Sequence, residues 1–189
     1  DGVLDLNGHA LHIKGDLIQA AGTVDINGGS LTVEKDYRLQ YRTGNEQYQY
    51  NNSTGILKMT KEEDVVRIKG DCYVQTEREM KDCLSAGTWY LEGDFAQSGK
   101  DVFAPNGTHK TVFAQKQNGE ETIHKISLEK GNRFQILQID KADWYDIEAV
   151  LEDISSEIIL GDGVERPKTP VLEVVDVNSK SVTLKWDKQ

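Results

Sequence analysis

Apolar residues recur along this chain in pairs two positions apart: Leu4 and Leu6, Leu11 and Ile13, Val24 and Ile26, Leu31 and Val33, Leu57 and Met59, Trp89 and Leu91. Successive side chains of a β-strand point to opposite faces, so a period of two predicts short strands with one buried face. The turn dipeptides Asn7-Gly8, Asn27-Gly28 and Asn118-Gly119 separate them. A glycine opens each group, at Gly2, Gly22, Gly55, Gly87 and Gly107, with spacings of 20, 33, 32 and 20 residues. After Gly107 come His109 and Thr111 where the other groups have apolar residues.

A second unit recurs in phase with the first. Its copies are Gly15-Asp16-Leu17-Ile18-Gln19, Lys35-Asp36-Tyr37-Arg38-Leu39-Gln40, Gly70-Asp71-Cys72-Tyr73-Val74-Gln75 and Gly93-Asp94-Phe95-Ala96-Gln97. Each offers an Asp turn, a short strand and a closing Gln. One repeat of about 20 residues cannot bury its apolar face alone; stacked repeats about 4.8 Å apart form a continuous core. The expected fold is therefore all-β, a parallel β-solenoid or β-helix of about five coils. Gln19, Gln40, Gln75 and Gln97 are expected to form one amide ladder. The turn aspartates are expected to stack, each tolerated because it accepts N–H bonds from its own turn. A β-sandwich of hairpins would explain the alternation but not a motif that returns four times in the same order.

The repeat text resembles the β-solenoid repeats of large exported proteins from Gram-positive, clostridia-like bacteria. The resemblance rests on Gly87-Thr88 through Gly93-Asp94-Phe95-Ala96-Gln97, on Asn106 to Phe113, and on Phe134 to Ile139, and covers residues 1–140. It implies an extracellular, secreted or cell-surface protein in which such modules act as stalks, spacers or adhesion units, or accompany carbohydrate-active enzymes. It implies no catalytic residues.

Residues 141–163 read as a capping segment. Trp144, Ile147, Val150, Leu151, Ile154 and Ile158 recur at three to four, which fits a helix over 143–159 with Asp143 as N-cap and Gly161 beyond its end. The competing reading is one more degenerate coil with strands around 147–151 and 158–160. Residues 164–189 hold the linker Pro167-Lys168-Thr169-Pro170 and two alternating stretches, Val171–Val177 and Ser181–Trp186, around Asn178-Ser179. Pro170, Val182, Leu184 and Trp186 are similar to the opening of a fibronectin type III domain, of which only about 20 of some 90–100 residues would be present. Both ends of the chain read as boundaries inside a longer polypeptide.

Charge narrows the functional classes. With 22 Lys plus Arg against 32 Asp plus Glu, the net charge is −10, a sign that repels phosphate backbones and disfavours nucleic acid. No apolar run approaches the roughly 20 residues that cross a bilayer, so no membrane insertion is expected. The cysteines, Cys72 and Cys83, lack the partners of a zinc site and are a candidate disulfide. The stretches 41–54 and 76–86 read as insertions after the Gln of two neighbouring coils, a place where solenoids often bind. Tyr41, Tyr48, Tyr50, Asn51 and Asn52 are the candidate glycan contacts there, through ring stacking and amide hydrogen bonds. Asp5, Asn7, Asp25 and Asn27 repeat at 20 residues and are candidate Ca²⁺ ligands, although the DxDxDG loop is absent and turn chemistry explains them equally well. No other cofactor is expected.

The histidines His9, His12, His109 and His124 match no nucleophile and carboxylate, and no GxSxG, P-loop or zincin motif occurs. Paired carboxylates of a polysaccharide-active β-helix enzyme remain an alternative, but five coils make a stack only about 24 Å tall, short for a substrate groove. The leading expectation is a non-catalytic structural or adhesion module that spaces neighbouring domains of its polypeptide. A carbohydrate-binding module is second and an enzyme fragment third. Expected partners are those neighbouring domains, with host or plant glycans or cell-surface proteins as further candidates.

Overall fold

The computed structural model describes residues 2–44, 49–116, 123–140, 144–147, 154–161, 172–177 and 182–186, with strand path alone at 123, 144–147, 172–177 and 182–186. The protein is all-β. Its strands, numbered in chain order, fall into three sheets that are parallel along their main order, plus one hairpin sheet. The first sheet holds β1 (Val3–Asp5), β4 (Thr23–Asp25) and β8 (Ile56–Lys58). The second runs in the order β2 (Ala10–Ile13), β5 (Ser30–Val33), β9 (Val65–Ile68), β11 (Thr88–Leu91), β13 (Lys110–Phe113), β15 (Phe134–Ile139) and β17 (Ser155–Leu160). The third runs β3 (Leu17–Ile18), β6 (Tyr37–Arg42), β10 (Cys72–Gln75), β12 (Phe95–Ser98), β14 (Ile123–Leu128) and β16 (Trp144–Ile147). A further strand, β7 (Tyr50–Asn52), folds back antiparallel on β6. The hairpin sheet is β18 (Leu172–Val177) with β19 (Val182–Trp186), antiparallel with a register shift between Val174 and Asp176.

Register explains why the sequence repeats. Ala10, Ser30, Val65, Thr88, Lys110, Ile136 and Glu157 are successive register mates, so the chain returns to the same position after 20, 35, 23, 22, 26 and 21 residues. Mates point to the same side. Leu31, Val66 and Trp89 all face inward and are fully buried, whereas their chain neighbours Thr32, Arg67 and Tyr90 face outward. Buried residues of all three sheets join one core, among them Leu57, Leu31, Leu91, Tyr37 and Val74. Its centre is aromatic: Trp89 meets Tyr37 and Phe95 with ring centroids 6.2 Å apart, and Phe134 packs on Phe95 and Phe103 at 5.3 and 5.4 Å. Each such side chain contributes roughly 1.5–3 kcal/mol by leaving water.

Three expectations need correction. The five glycines do not share one register position. Gly2, Gly22 and Gly55 precede β1, β4 and β8, which are mates. Gly87 instead precedes β11 of the second sheet, aligned with Asp64, and Gly107 lies against Ser85. Trp89 and Leu91 therefore pair with Val66 and Ile68, not with Leu57 and Met59. A glycine followed by alternating apolar residues marks any strand that leaves a tight turn, whichever sheet it enters. For the same reason 76–86 is no insertion: Met80 and Leu84 are buried in the core, and Leu84 bridges Met59. The 35-residue step holds the extra sequence, which forms the β6–β7 hairpin. Third, within the helix read over 143–159, the described residues form β16 and β17, and Ile154 alone is helical. Ile158 and Leu160, two apart, align with Leu137 and Ile139 of β15, so strand pairing overrides a local period of three to four.

Candidate functional site

The β6–β7 hairpin is the part of the molecule with most individual chemistry. Strand β6 runs past its register mates to Arg42, and β7 returns beside it with Tyr41 opposite Asn51 and Arg42 opposite Tyr50. The Thr43 N–H donates to the Gln49 carbonyl at 2.9 Å and closes the pair. Tyr41 is 52% exposed, and Asn51 and Asn52 are exposed. Tyr48 lies outside the described residues. Tyr50 does not stand free. The Arg38 guanidinium sits 4.6 Å from the Tyr50 ring centre and 3.8 Å from that of Tyr73 on the next strand, β10. It also pairs with Asp36 Oδ2 at 2.8 Å. The structure thus brings Tyr41, Tyr50, Asn51 and Asn52 together, and adds Arg38 and Tyr73, which sequence reasoning missed. Cation and ring are 35 residues apart, so only register reveals them.

Beside this patch runs a column of carboxylates. The Asp36 N–H donates to Asp16 Oδ1 at 3.2 Å, Asp71 N–H to Asp36 Oδ1 at 3.0 Å, Asp94 N–H to Asp71 Oδ1 at 2.9 Å and Lys125 N–H to Asp94 Oδ1 at 2.9 Å. The acceptor therefore serves the turn of the next strand in the sheet, not its own turn as expected. Stacked charges are relieved sideways: Arg38 takes the second oxygen of Asp36, and the Tyr73 hydroxyl donates to Asp71 Oδ2 at 3.1 Å. Burial first, then the Asp71 carboxylate, push the Tyr73 phenol above its ordinary range. Glycines make the spacing feasible. A Cβ at Gly93 would lie 2.4 Å from the Gly70 carbonyl oxygen.

The glutamines divide rather than forming one ladder. Gln40 and Gln75 are mates, and the Gln40 amide donates to Gln75 Oε1 at 3.0 Å, which in turn donates to Asn52. Gln19 and Gln97 fall one register place earlier, beside Leu39 and Val74, and so turn inward. Gln19 donates to the Gly22 and Ile56 carbonyls and accepts from the Tyr37 hydroxyl at 2.6 Å. Gln97 donates to the Gly99 carbonyl at 2.7 Å.

The candidate calcium residues occupy two neighbouring turns. Asn7 and Asn27 both take φ of 44°, the left-handed conformation that Asn tolerates. Asp5 Oδ1 accepts the Asn7 N–H at 2.8 Å and the Asn27 side-chain amide at 2.9 Å. Asp25 pairs with Lys58, its register mate, at 2.7 Å. A lysine thus supplies positive charge where the sequence suggested a cation. Among the described residues no group of three or more His, Cys, Asp or Glu is arranged to hold a metal. No helix among them is long and apolar enough to cross a membrane.

Cys72 and Cys83 are free thiols, so the candidate disulfide is not formed. Cys72 points into the core from the third sheet, while the Cys83 carbonyl accepts the Met59 N–H beside the first. Burial pushes both thiols up, which suppresses the reactive thiolate. Two histidines are core members. His109 and His124 are buried, and each Nδ1–H donates to a carbonyl, of Ala86 at 2.9 Å and Gly93 at 3.0 Å. Burial lowers the His109 imidazole to about 4 against the opposing pull of the Ala86 bond and Asp64. His12 instead lies on the surface, 2.6 Å from Glu34, whose other oxygen takes Lys69 at 2.9 Å. Asp64 was not singled out from sequence. It is buried and accepts N–H bonds from Gly28, Thr60 and Lys61.

No family model, no curated protein and no solved structure matches the chain.

Proposed function

We propose that the parallel sheets are the faces of a β-solenoid, and that this solenoid is a non-catalytic spacer or adhesion module of an extracellular bacterial protein, holding neighbouring domains at a fixed separation. The carrying observation is the aspartate column. Asp16, Asp36, Asp71 and Asp94 each spend an oxygen on the backbone of the next strand. The recurring polar chemistry of the sequence is thereby consumed in joining one repeat to the next, as a spacer requires. A shared register period in three sheets around one core supports the same reading. Near-equal returns of the chain mean that length is set by repeat number.

The test is to lengthen the module. Duplicating residues 65–87, one register step, should give a chain that still unfolds cooperatively and whose maximum dimension in X-ray scattering grows by about 5 Å. Loss of cooperative folding would contradict the solenoid. A second reading, carbohydrate binding, draws on the exposed Tyr41 beside Asn51 and Asn52. It predicts glycan-array binding that Tyr41→Ala abolishes without loss of fold. Binding unaffected by that change would remove the hairpin from consideration.

A further inference from the structure

The first repeat has the sequence of an interior repeat and the exposure of a free end. Strands β1, β2 and β3 are the terminal members of their three sheets among the described residues. Val3 is 68%, Leu4 49% and Ile18 36% exposed, three of the four large apolar side chains so exposed in the described residues. A groove lined by Gly2, Val3, Leu4, Gly22, Thr23 and Val24 opens there. Free sheet edges are normally blunted by proline, bulges or abundant charge. Residues 2–18 contain no proline, and their only full charges are Asp5, Lys14 and Asp16.

The unmet groups have a direction. Along the column each N–H is received by the carboxylate of the preceding repeat, so the Asp16 N–H is the position that calls for a carboxylate from below. Gly2 occupies the register place of Gly22. Gly22, at φ +74°, is where the chain from β3 enters the next repeat, its carbonyl held by the Gln19 amide at 3.0 Å. A second copy related by a two-fold axis would bring N–H against N–H at Asp16. A parallel repeat entering through Gly2 brings a carboxylate.

We propose that the β1–β2–β3 end is a docking surface for one more repeat of the same pattern, running into Gly2 through the polypeptide and placing a turn aspartate beneath Asp16. This rests on the solenoid reading. The experiment joins an extra copy of residues 1–20 to the N-terminus of the chain and follows amide hydrogen exchange. Exchange at residues 3–5 and 17–18 should slow at least ~10-fold. Replacing the aspartate of the added copy that corresponds to Asp16 by alanine should reverse the slowing at the Asp16 amide alone. The proposal is overturned if residues 3–5 and 17–18 exchange as before and the added segment is digested like an unfolded tail. It is equally overturned if the unextended chain sediments as a dimer whose formation alone protects those amides, because the occupant is then a second copy. Amides of Leu31, Val66 and Trp89 separate the two levels. Their protection with an unaffected edge sinks only this proposal, whereas their rapid exchange removes the solenoid beneath it.

Discussion

Residues 2–20 and residues 22–40 carry nearly the same text, yet they live in different surroundings. Leu4 is half-exposed, its mate Val24 is 7% exposed, and Leu57, the next in register, is completely buried. Leu11 and Ile13 are only partly covered, while Leu31 and Val33 are inaccessible. The side chains are alike and their strands face the same way. What differs is whether strands lie on both sides. Stability in this molecule is therefore a property of neighbours, shared between repeats, and the interior contributes far more than the end.

That contrast can be broken most sharply at the aromatic centre. Trp89→Ala should cost about 3–5 kcal/mol in urea unfolding, because it empties a site packed by Tyr37, Phe95 and Phe103. Such a loss is comparable with the whole margin of a marginal domain.

Acid should weaken the interior next. The folded His109 titrates near 4, below the ordinary imidazole value of 6.5, so the neutral form is favoured by folding. Its stabilisation is complete above pH 6.5 and is lost as pH falls towards 4, by about 3 kcal/mol. His124, also lowered by burial, acts in the same sense. Chemical denaturation from pH 7 to 4 measures the slope, and His109→Gln should flatten it.

The carboxylate column gives a finer comparison between interior and end. Asp71→Ala removes the acceptor of the Asp94 N–H and the partner of the Tyr73 hydroxyl, and should cost about 1.5–3 kcal/mol. Asp16→Ala removes one longer bond at the exposed end and should cost clearly less in the same thermal melts. Smallest of all, Leu4→Ala should change stability by under ~1 kcal/mol, since half its surface already meets water. A cost at Leu4 equal to that at Leu57→Ala would erase the contrast.

Much of this was legible in the sequence because strand alternation imprints itself on every repeat. The mates Leu4 and Val24 follow from the 20-residue period, and the Asp-turn unit names the strands of the third sheet. Sheet membership was less legible. Gly87 looks like Gly55 in sequence, but the 35-residue step at the hairpin shifts the later strands out of the simple count. Side-chain partners hid for a related reason. Whether Gln19 joins Gln40 or turns inward depends on a one-residue offset of the strand, which leaves the local motif unchanged. At the hairpin, tyrosines signalled a surface feature correctly at Tyr41, but the stacking of Arg38 on Tyr73 needed the register of β6 against β10.

The central claim is that strands one repeat apart lie side by side and parallel. Cysteine cross-linking tests it most directly, in a Cys72→Ala, Cys83→Ser background. His12, Thr32 and Arg67 face outward as successive mates on β2, β5 and β9. Neighbouring strands lie about 4.8 Å apart, within disulfide reach, whereas alternate strands lie about twice as far. The account predicts that cysteines at 12 and 32, and at 32 and 67, form disulfides on mild oxidation, while the pair 12 and 67 does not. Failure of the two adjacent pairs, with ready bridging of 12 to 67, would contradict it.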